Sequence, residues 1–277
     1  MRIALVGDVM LGRLVDERLR HEGPAHPWGD VLPLLAQADL RFANLECVLA
    51  DDGPPWPGKR FHFRSDRKNV ASLEAAGVDV VSLANNHVLD HGVEAMREML
   101  PLLDEHGILH TGAGPDAEAA RRPAVCTRAG TAVGFLAFTD NEPGWAAGPA
   151  SPGVHHVPVD LADDRAQDLL QLVRRTRERT GLLVVSAHWG PTGARRCRRS
   201  TARSPTRWWR PARTWSSATP RTSSAASRCT AAGRWSTAPG TSSTTTPSVP
   251  TSATTSPSSS CSTSGTACPA ACACTPR

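Results

Sequence analysis

What the sequence lacks divides it in two. Past Pro191 there is no Asp, Glu or Lys, no Leu, Ile, Phe or Met, and a single Val at 249. Ser and Thr fill 36 of those 86 positions, and twelve Arg carry all of the charge. A stretch this poor in aliphatic side chains cannot bury enough apolar surface to offset the entropy of ordering it. The first 191 residues, by contrast, carry 19 basic and 26 acidic groups, a net −7 that the overall +5 conceals. Tyr is absent from the whole chain. Only Cys47 and Cys126 of the eight cysteines fall in the first part. They read as core or near-core thiols and not as a disulfide. Cys268, Cys272 and Cys274 have neither a His nor a CxxC pair to make a metal knuckle.

No apolar run is long enough for a membrane span. The start, MRIALVGDV, is too short for a signal peptide and reads as a first strand, so a soluble cytoplasmic protein is expected. What is present in 1–191 is an alternation of β-branched runs and amphipathic segments. Strands are expected at Arg2–Val6, Asp39–Ala43, Val78–Leu83, Ile108–His110 and Leu182–Ser186, with a hairpin across Arg128–Thr131. Helices are expected near Leu14–Leu19, Trp28–Ala38, Arg67–Ala76, Val93–His106 and Asp160–Arg179. The alternation implies an α/β fold with a largely parallel core. Thr111-Gly112-Ala113-Gly114 reads as a tight turn, and His155-His156 as part of a solvated loop.

Polar groups recur at the C-terminal ends of these strands: Asp8, Glu46, Asn86 with His87, and His188. In open α/β sheets ligands gather at such ends. Each residue alone could be a turn or a helix cap. Together, carboxylates, an amide oxygen and imidazoles form the mixed donor set that Mn, Fe or Zn accepts. Two metals roughly 3.5–4 Å apart could share a bridging carboxylate and activate water for phosphoryl transfer.

The segments GDVMLGR at 7–13, ANLE at 43–46, LANNHVLDHG at 83–92, TGAG at 111–114 and AHWG at 187–190 resemble the CapA family. These are capsule or poly-γ-glutamate synthesis proteins, similar to calcineurin-like metallophosphoesterases. The resemblance covers about 1–191 and implies a layered metallophosphoesterase-like α/β sandwich with two divalent metal ions. It implies Asp8 as a ligand of one metal, Glu46 as the bridging carboxylate, and Asn86 as a ligand of the second with His188 beside it. His87 matches the imidazole that protonates the leaving oxygen, and Asp90 could orient it. Arg13 and Asn85 are candidates for contact with a phosphorylated or polyanionic substrate. The implied activity is that of a metal-dependent phosphoesterase-type hydrolase.

The chain departs from the phosphoesterase pattern in two respects. Where the general pattern has DxH it has Asp8-Val9-Met10, which the CapA branch shares. The family's late GHxxH-type segment is missing, and no His follows His188. The composition of 192–277 suggests a changed reading frame in GC-rich DNA. Trp is encoded only by TGG, which fixes part of the nucleotide sequence. Shifted by one base with GC-rich codons, Trp208–Ser224 reads LVEAGADLVLGHSAHVL, and Gly233–Ser248 reads RPVVYGPGDFVDDYAV. The first contains the missing motif. Residues 192–277 are therefore expected to be an out-of-frame tail without a packed core, and the chain as written a weak or inactive enzyme.

The alternative is a non-catalytic α/β domain whose basic tail binds nucleic acid, through Arg195-Arg196 and Arg198-Arg199 on phosphates and Trp208, Trp209, Trp215 and Trp235 on bases. The −7 charge of the first part and the absence of an RNA-binding motif argue against it.

Overall fold

The computed structural model describes residues 1–190, 215–220 and 228–231. The chain divides into two units, Met1–Arg234 and Trp235–Arg277, and the description concerns the first. Four strands, β1 (Ile3–Val9), β2 (Leu40–Leu45), β3 (Val80–Ser82) and β4 (Leu109–Thr111), form a parallel sheet in that order. A second sheet holds β5 (Ala124–Arg128), β6 (Thr131–Thr139), β7 (Leu182–Trp189), β8 (Trp215–Pro220) and β9 (Arg228–Ala231), in the order β9-β8-β7-β6-β5. β7 runs parallel to both β6 and β8.

Period-two alternation assigns each face. Leu40, Phe42 and Val80 of the first sheet meet Val133, Phe135 and Val184 of the second. The Phe42 and Phe135 rings stack there at 5.3 Å. Ala43, Leu45, Val81 and Leu83 turn the other way, toward Leu73 of helix α2 (Val70–Ala75) and Met96, Met99 and Leu103 of helix α3 (Gly92–Glu105), whereas α1 spans Leu14–Leu19. Leu136, Phe138, Leu183 and Val185 pack on Ala166, Leu169 and Val173 of α4 (Asp164–Arg179). The result is a layered α/β sandwich, helices outside and two sheets inside. With both faces of the strands covered, near-continuous apolar runs are required, as the sequence has them.

The same alternation aims the strand ends. Asn44 follows Phe42 by two and His188 follows Val184 by four, so both lie on the face between the sheets. β1 reaches that face by an irregularity. Its pairing with β2 slips between Leu5 and Asp8, which sets Asp8 opposite Asn44.

Three expectations are corrected. The helix expected at Trp28–Ala38 is a 3-10 turn, His26–Val31, followed by Leu32–Leu35, because Gly29 takes φ 51° and breaks the run. The first strand runs to Val9 and not to Val6, so Asp8 lies inside its C-terminal end, and α1 starts after Arg13 without a side-chain cap. His155 and His156 are not in a solvated loop: His156 is buried, and the preceding Gly153–Val154 pairs with Ala113–Gly114. In TGAG only Gly112 turns, at φ 100°, between the strand ending at Thr111 and the paired Ala113–Gly114. A Cβ there would fall 2.6 Å from the Ala84 Cβ, so the glycine lets this turn press against the residue that leads into Asn85.

The second sheet also continues past Pro191, in β8 and β9. Main-chain pairing along β7 explains how a segment so poor in aliphatic residues joins a sheet, since ladder hydrogen bonds are made by the backbone. The Arg195-Arg196 and Arg198-Arg199 pairs, Trp208, Trp209, Trp235 and the cysteines from Cys268 onward lie outside the described residues.

Candidate metal centre

Asp8, Glu46 and His188 come together where the two sheets meet: one ligand atom from each lies within 4.8 Å of the others. Asp8 is exposed, Glu46 is 9% exposed and His188 1%. A cavity of ≈ 550 Å³, lined also by Met10, Leu14, Val15 and Trp28, reaches Asp8 but not Glu46, Asn86 or His188. The cluster thus has a buried floor and one open side. Asn86 is part of it, with its Oδ1 3.0 Å from His188 Nε2. His87 Nε2 and His188 Nε2 stand 3.8 and 3.9 Å from Glu46 Oε1.

The fold holds Asp8 and the main chain that carries His188. Asn44 donates from Nδ2 to Asp8 Oδ1 at 2.8 Å, and the same atom is 3.5 Å from His188 Nδ1. The carbonyl of His188 accepts from Thr139 Oγ1 at 2.7 Å and from Asn141 Nδ2 at 3.1 Å. Asn85 is fully buried. Its Nδ2 donates to Asn44 Oδ1 and to the Leu45 carbonyl, while its Oδ1 accepts from the main-chain N–H groups of His87 and Val88. These bonds place Asn85 in the scaffold beneath the cluster and not at its open side.

His87 Nδ1 lies 2.5 Å from Asp90 Oδ2, and Asp90 has no exposed surface. Phe63 stacks on the His87 ring at 4.0 Å. The Arg13 guanidinium sits 6.0 Å from the Phe63 ring and 5.8 Å from the half-exposed Phe61. Arg13 itself takes φ 56°, a left-handed backbone that costs a non-glycine residue about 1–3 kcal/mol and recurs at functional sites. Cys47, next to Glu46, is fully buried: burial foremost, then the negative field of Glu46, Asp90 and Asp16, pushes its thiol up to about 12.

The donor set fits a divalent metal. Carboxylates, an amide oxygen and imidazole suit Mn, Fe or Zn, and their convergence on an open-sided spot matches the need for both ligation and access. Sequence reasoning brought forward Asp8, Glu46, Asn86, His87, Asp90 and His188, and the structure gathers all six. It missed Asn44, Thr139 and Asn141, which hold the Asp8 carboxylate and the main-chain carbonyl of His188. Asn44 and Thr139 were discernible only as polar residues closing apolar strands. It also missed Lys59, part-buried in a Pro-rich loop without periodicity.

Comparison with known proteins adds the family. Residues 2–204 match the family described as bacterial capsule synthesis protein PGA_cap. The chain belongs to that family. Among PGA_cap relatives, a probable polyglutamine synthesis accessory protein of Mycobacterium tuberculosis is 31% identical over 226 residues, covering 68% of this chain and 60% of the relative. The PGA biosynthesis protein CapA of Bacillus subtilis is 26% identical over 190 residues, covering 68% and 48%. The capsule biosynthesis protein CapA of Bacillus anthracis is 27% identical, covering 69% and 46%. The chain therefore spans about half the length of these relatives. Two solved structures are similar at lower levels. One is a hypothetical protein from Thermus thermophilus (19% identity, TM-score 0.40, 69% of this chain and 59% of that one). The other is a novel phosphatase from Mycoplasma pneumoniae (14%, 0.41, 69% and 56%). Neither likeness is close enough to bear on function. Among the described residues no helix is long and apolar enough to cross a membrane.

Proposed function

We propose that this chain is a CapA-type protein of capsule or poly-γ-glutamate biosynthesis with a two-metal phosphoesterase-type site, impaired in the reading frame as written. The observation that carries the site is the convergence of Asp8, Glu46 and His188 within 4.8 Å, with Asn86 on His188. Asp8 and Asn86 would each serve one metal, Glu46 both, and His188 would stand beside them. When bound, the metals supply Lewis-acid stabilisation of phosphoryl charge and a water of lowered pKa.

The remaining roles belong to the protein's own side chains. His87, beside Glu46 and stacked on Phe63, gives its proton to the departing ester oxygen. Asp90 fixes the ring by accepting from Nδ1, which leaves Nε2 toward the substrate side. Arg13 holds an anionic group of a phosphorylated or polyanionic substrate at the open side. Asn85 serves by fixing the loop that carries Asn86 and His87.

The impairment rests on the changed frame, and the ladder register supports it. In β8, Thr219 stands opposite His188. The first histidine of the re-read GHSAH falls on codon 219, the ladder partner of a metal-side residue. The re-read LVLGHS also spans the six residues that form β8.

The test is hydrolysis of a generic phosphodiester or phosphomonoester with added Mn or Zn. Three proteins are compared: the chain as written, the frame-restored chain, and the frame-restored chain with His87→Ala. Restoration should raise activity, and His87→Ala should then lower it about 10²–10⁴-fold. Equal activity of the first two proteins would remove the impairment. An unaffected His87→Ala would remove the assignment of the acid.

A further inference from the structure

The loop Gly53–Phe63 is strapped across the segment Asn85–Gly92. His91 Nδ1 lies 2.8 Å from the Gly53 carbonyl, Trp56 N donates to the Asp90 carbonyl at 2.7 Å, and Phe63 N donates to Asp90 Oδ2 at 2.7 Å. Lys59 reaches furthest in. Its Nζ lies 2.5 Å from Asp90 Oδ1, donates to the main-chain carbonyl of Asn86, and sits 4.3 Å over the ring of the buried Trp145. Trp145 in turn meets Trp56 edge-on at 5.3 Å.

We propose that Lys59 is a positioning residue for the His87–Asp90 pair and, through the Asn86 peptide, for the metal side of the site. It deepens the phosphoesterase reading and rests on it for the meaning of the pair. Asp90 is a fully buried carboxylate that must hold the His87 ring through Oδ2. A buried carboxylate needs a charge partner and a filled set of hydrogen bonds to stay in one orientation. Lys59 fills Oδ1, so Oδ2 is left to His87 and Phe63 N. A second donation from the same ammonium fixes the peptide of Asn86, whose side-chain Oδ1 meets His188. One cation therefore spans the two halves of the site, across 31 residues to Asp90 and 27 to Asn86. An ammonium suits the position because three donors on one atom can serve two oxygens while the stem and charge lie on an indole face. The chain has only two lysines, at 59 and 68, and Lys68 is exposed.

The test is spectroscopic and is made on the full chain as it stands. Lys59→Met keeps the stem on Trp145 and removes the donors. It should displace the ¹H and ¹⁵N signals of the His87 ring, whereas Arg60→Met, which removes the exposed neighbouring cation of the same loop, should leave them in place. Unmoved His87 signals in folded Lys59→Met, or the same displacement from Arg60→Met, would overturn the proposal. Should Lys59→Met not fold, ¹³C-lysine labelling of the otherwise native chain decides. With two lysines, the Cε signal shifted by the Trp145 ring belongs to Lys59, and Asp90→Asn should move it; a stationary signal overturns the proposal. In the frame-restored chain Lys59→Met should lower kcat by about tenfold or more with KM unchanged. Absence of any metal-dependent turnover in the restored parent would remove the phosphoesterase reading, while the ring signals would still decide whether Lys59 positions His87.

Discussion

At the residue scale, the centre is built from side chains that could each have been ordinary. Asp8 and His188 differ from other polar strand-end residues in that Asn44 bonds the Asp8 carboxylate while Thr139 and Asn141 hold the main-chain carbonyl of His188. That restraint is what a metal site needs, since ligands already in place lose less entropy on binding. Away from the centre, His155 makes a pH-dependent contribution that can be measured. Burial pushes its imidazole down to about 4, opposed by the contact between its Nδ1 and the Ala137 carbonyl and aided by Arg121 and His156. The unfolded chain takes up a proton near its ordinary value of about 6.5 while the folded chain does not. Stability from this group is therefore full above about 6.5, falls as pH drops toward 4, and levels off below. The expected slope is up to about tenfold in the folding equilibrium per pH unit, visible as urea midpoints at pH 7 against pH 5. His110 and His156, also lowered chiefly by burial, add in the same direction. His155→Gln should reduce the slope, and an unchanged slope would show that His155 is not its source.

At the element scale, strands and their polar ends were legible because apolar runs covered on both faces leave a strong signal, and because a ligand-bearing residue must stand where the run stops. The helix near Trp28 was not legible, since a single Gly29 at positive φ breaks an otherwise suitable pattern. Asn44 was visible as a residue but not as a holder of Asp8, because that contact depends on the register slip of β1 against β2. The loop of Lys59 has no periodicity to read, and its place is set by Trp56, Trp145 and Asp90, the last two far away in sequence. The turn at Gly112 carries the prediction that belongs here. Gly112→Ala would combine a positive φ with a Cβ 2.6 Å from the Ala84 Cβ and 2.7 Å from its main-chain N. Destabilisation by about 1–3 kcal/mol is expected in urea unfolding. Metal affinity should weaken with it, because the nearest outlet for the clash is movement of Ala84 and the adjoining Asn85. Full stability in that variant would contradict the packing described.

At the scale of the whole molecule, the chain combines a well-packed α/β sandwich with a terminal segment whose composition does not match the sheet it joins. Composition alone placed a boundary after Pro191, yet β8 and β9 extend the second sheet. Backbone pairing is only weakly visible to a reading based on apolar pattern, which explains the difference. The proposed change of frame would give the two observations one cause, a strand kept in position with its side chains replaced. A ladder partner of His188 would then lack its imidazole, and metal affinity would be weaker.

The claim on which all three scales depend is that the strand ends form a metal centre. The most direct measurement is titration with Mn(II), followed by the electron paramagnetic resonance of free ion, for the chain as written, the frame-restored chain, and the frame-restored chain with Glu46→Gln. The account predicts two bound ions in the restored chain, weaker or fewer in the chain as written, and loss of both with Glu46→Gln, because that carboxylate serves both ions. Binding of two ions by Glu46→Gln as tightly as by its parent would contradict the account.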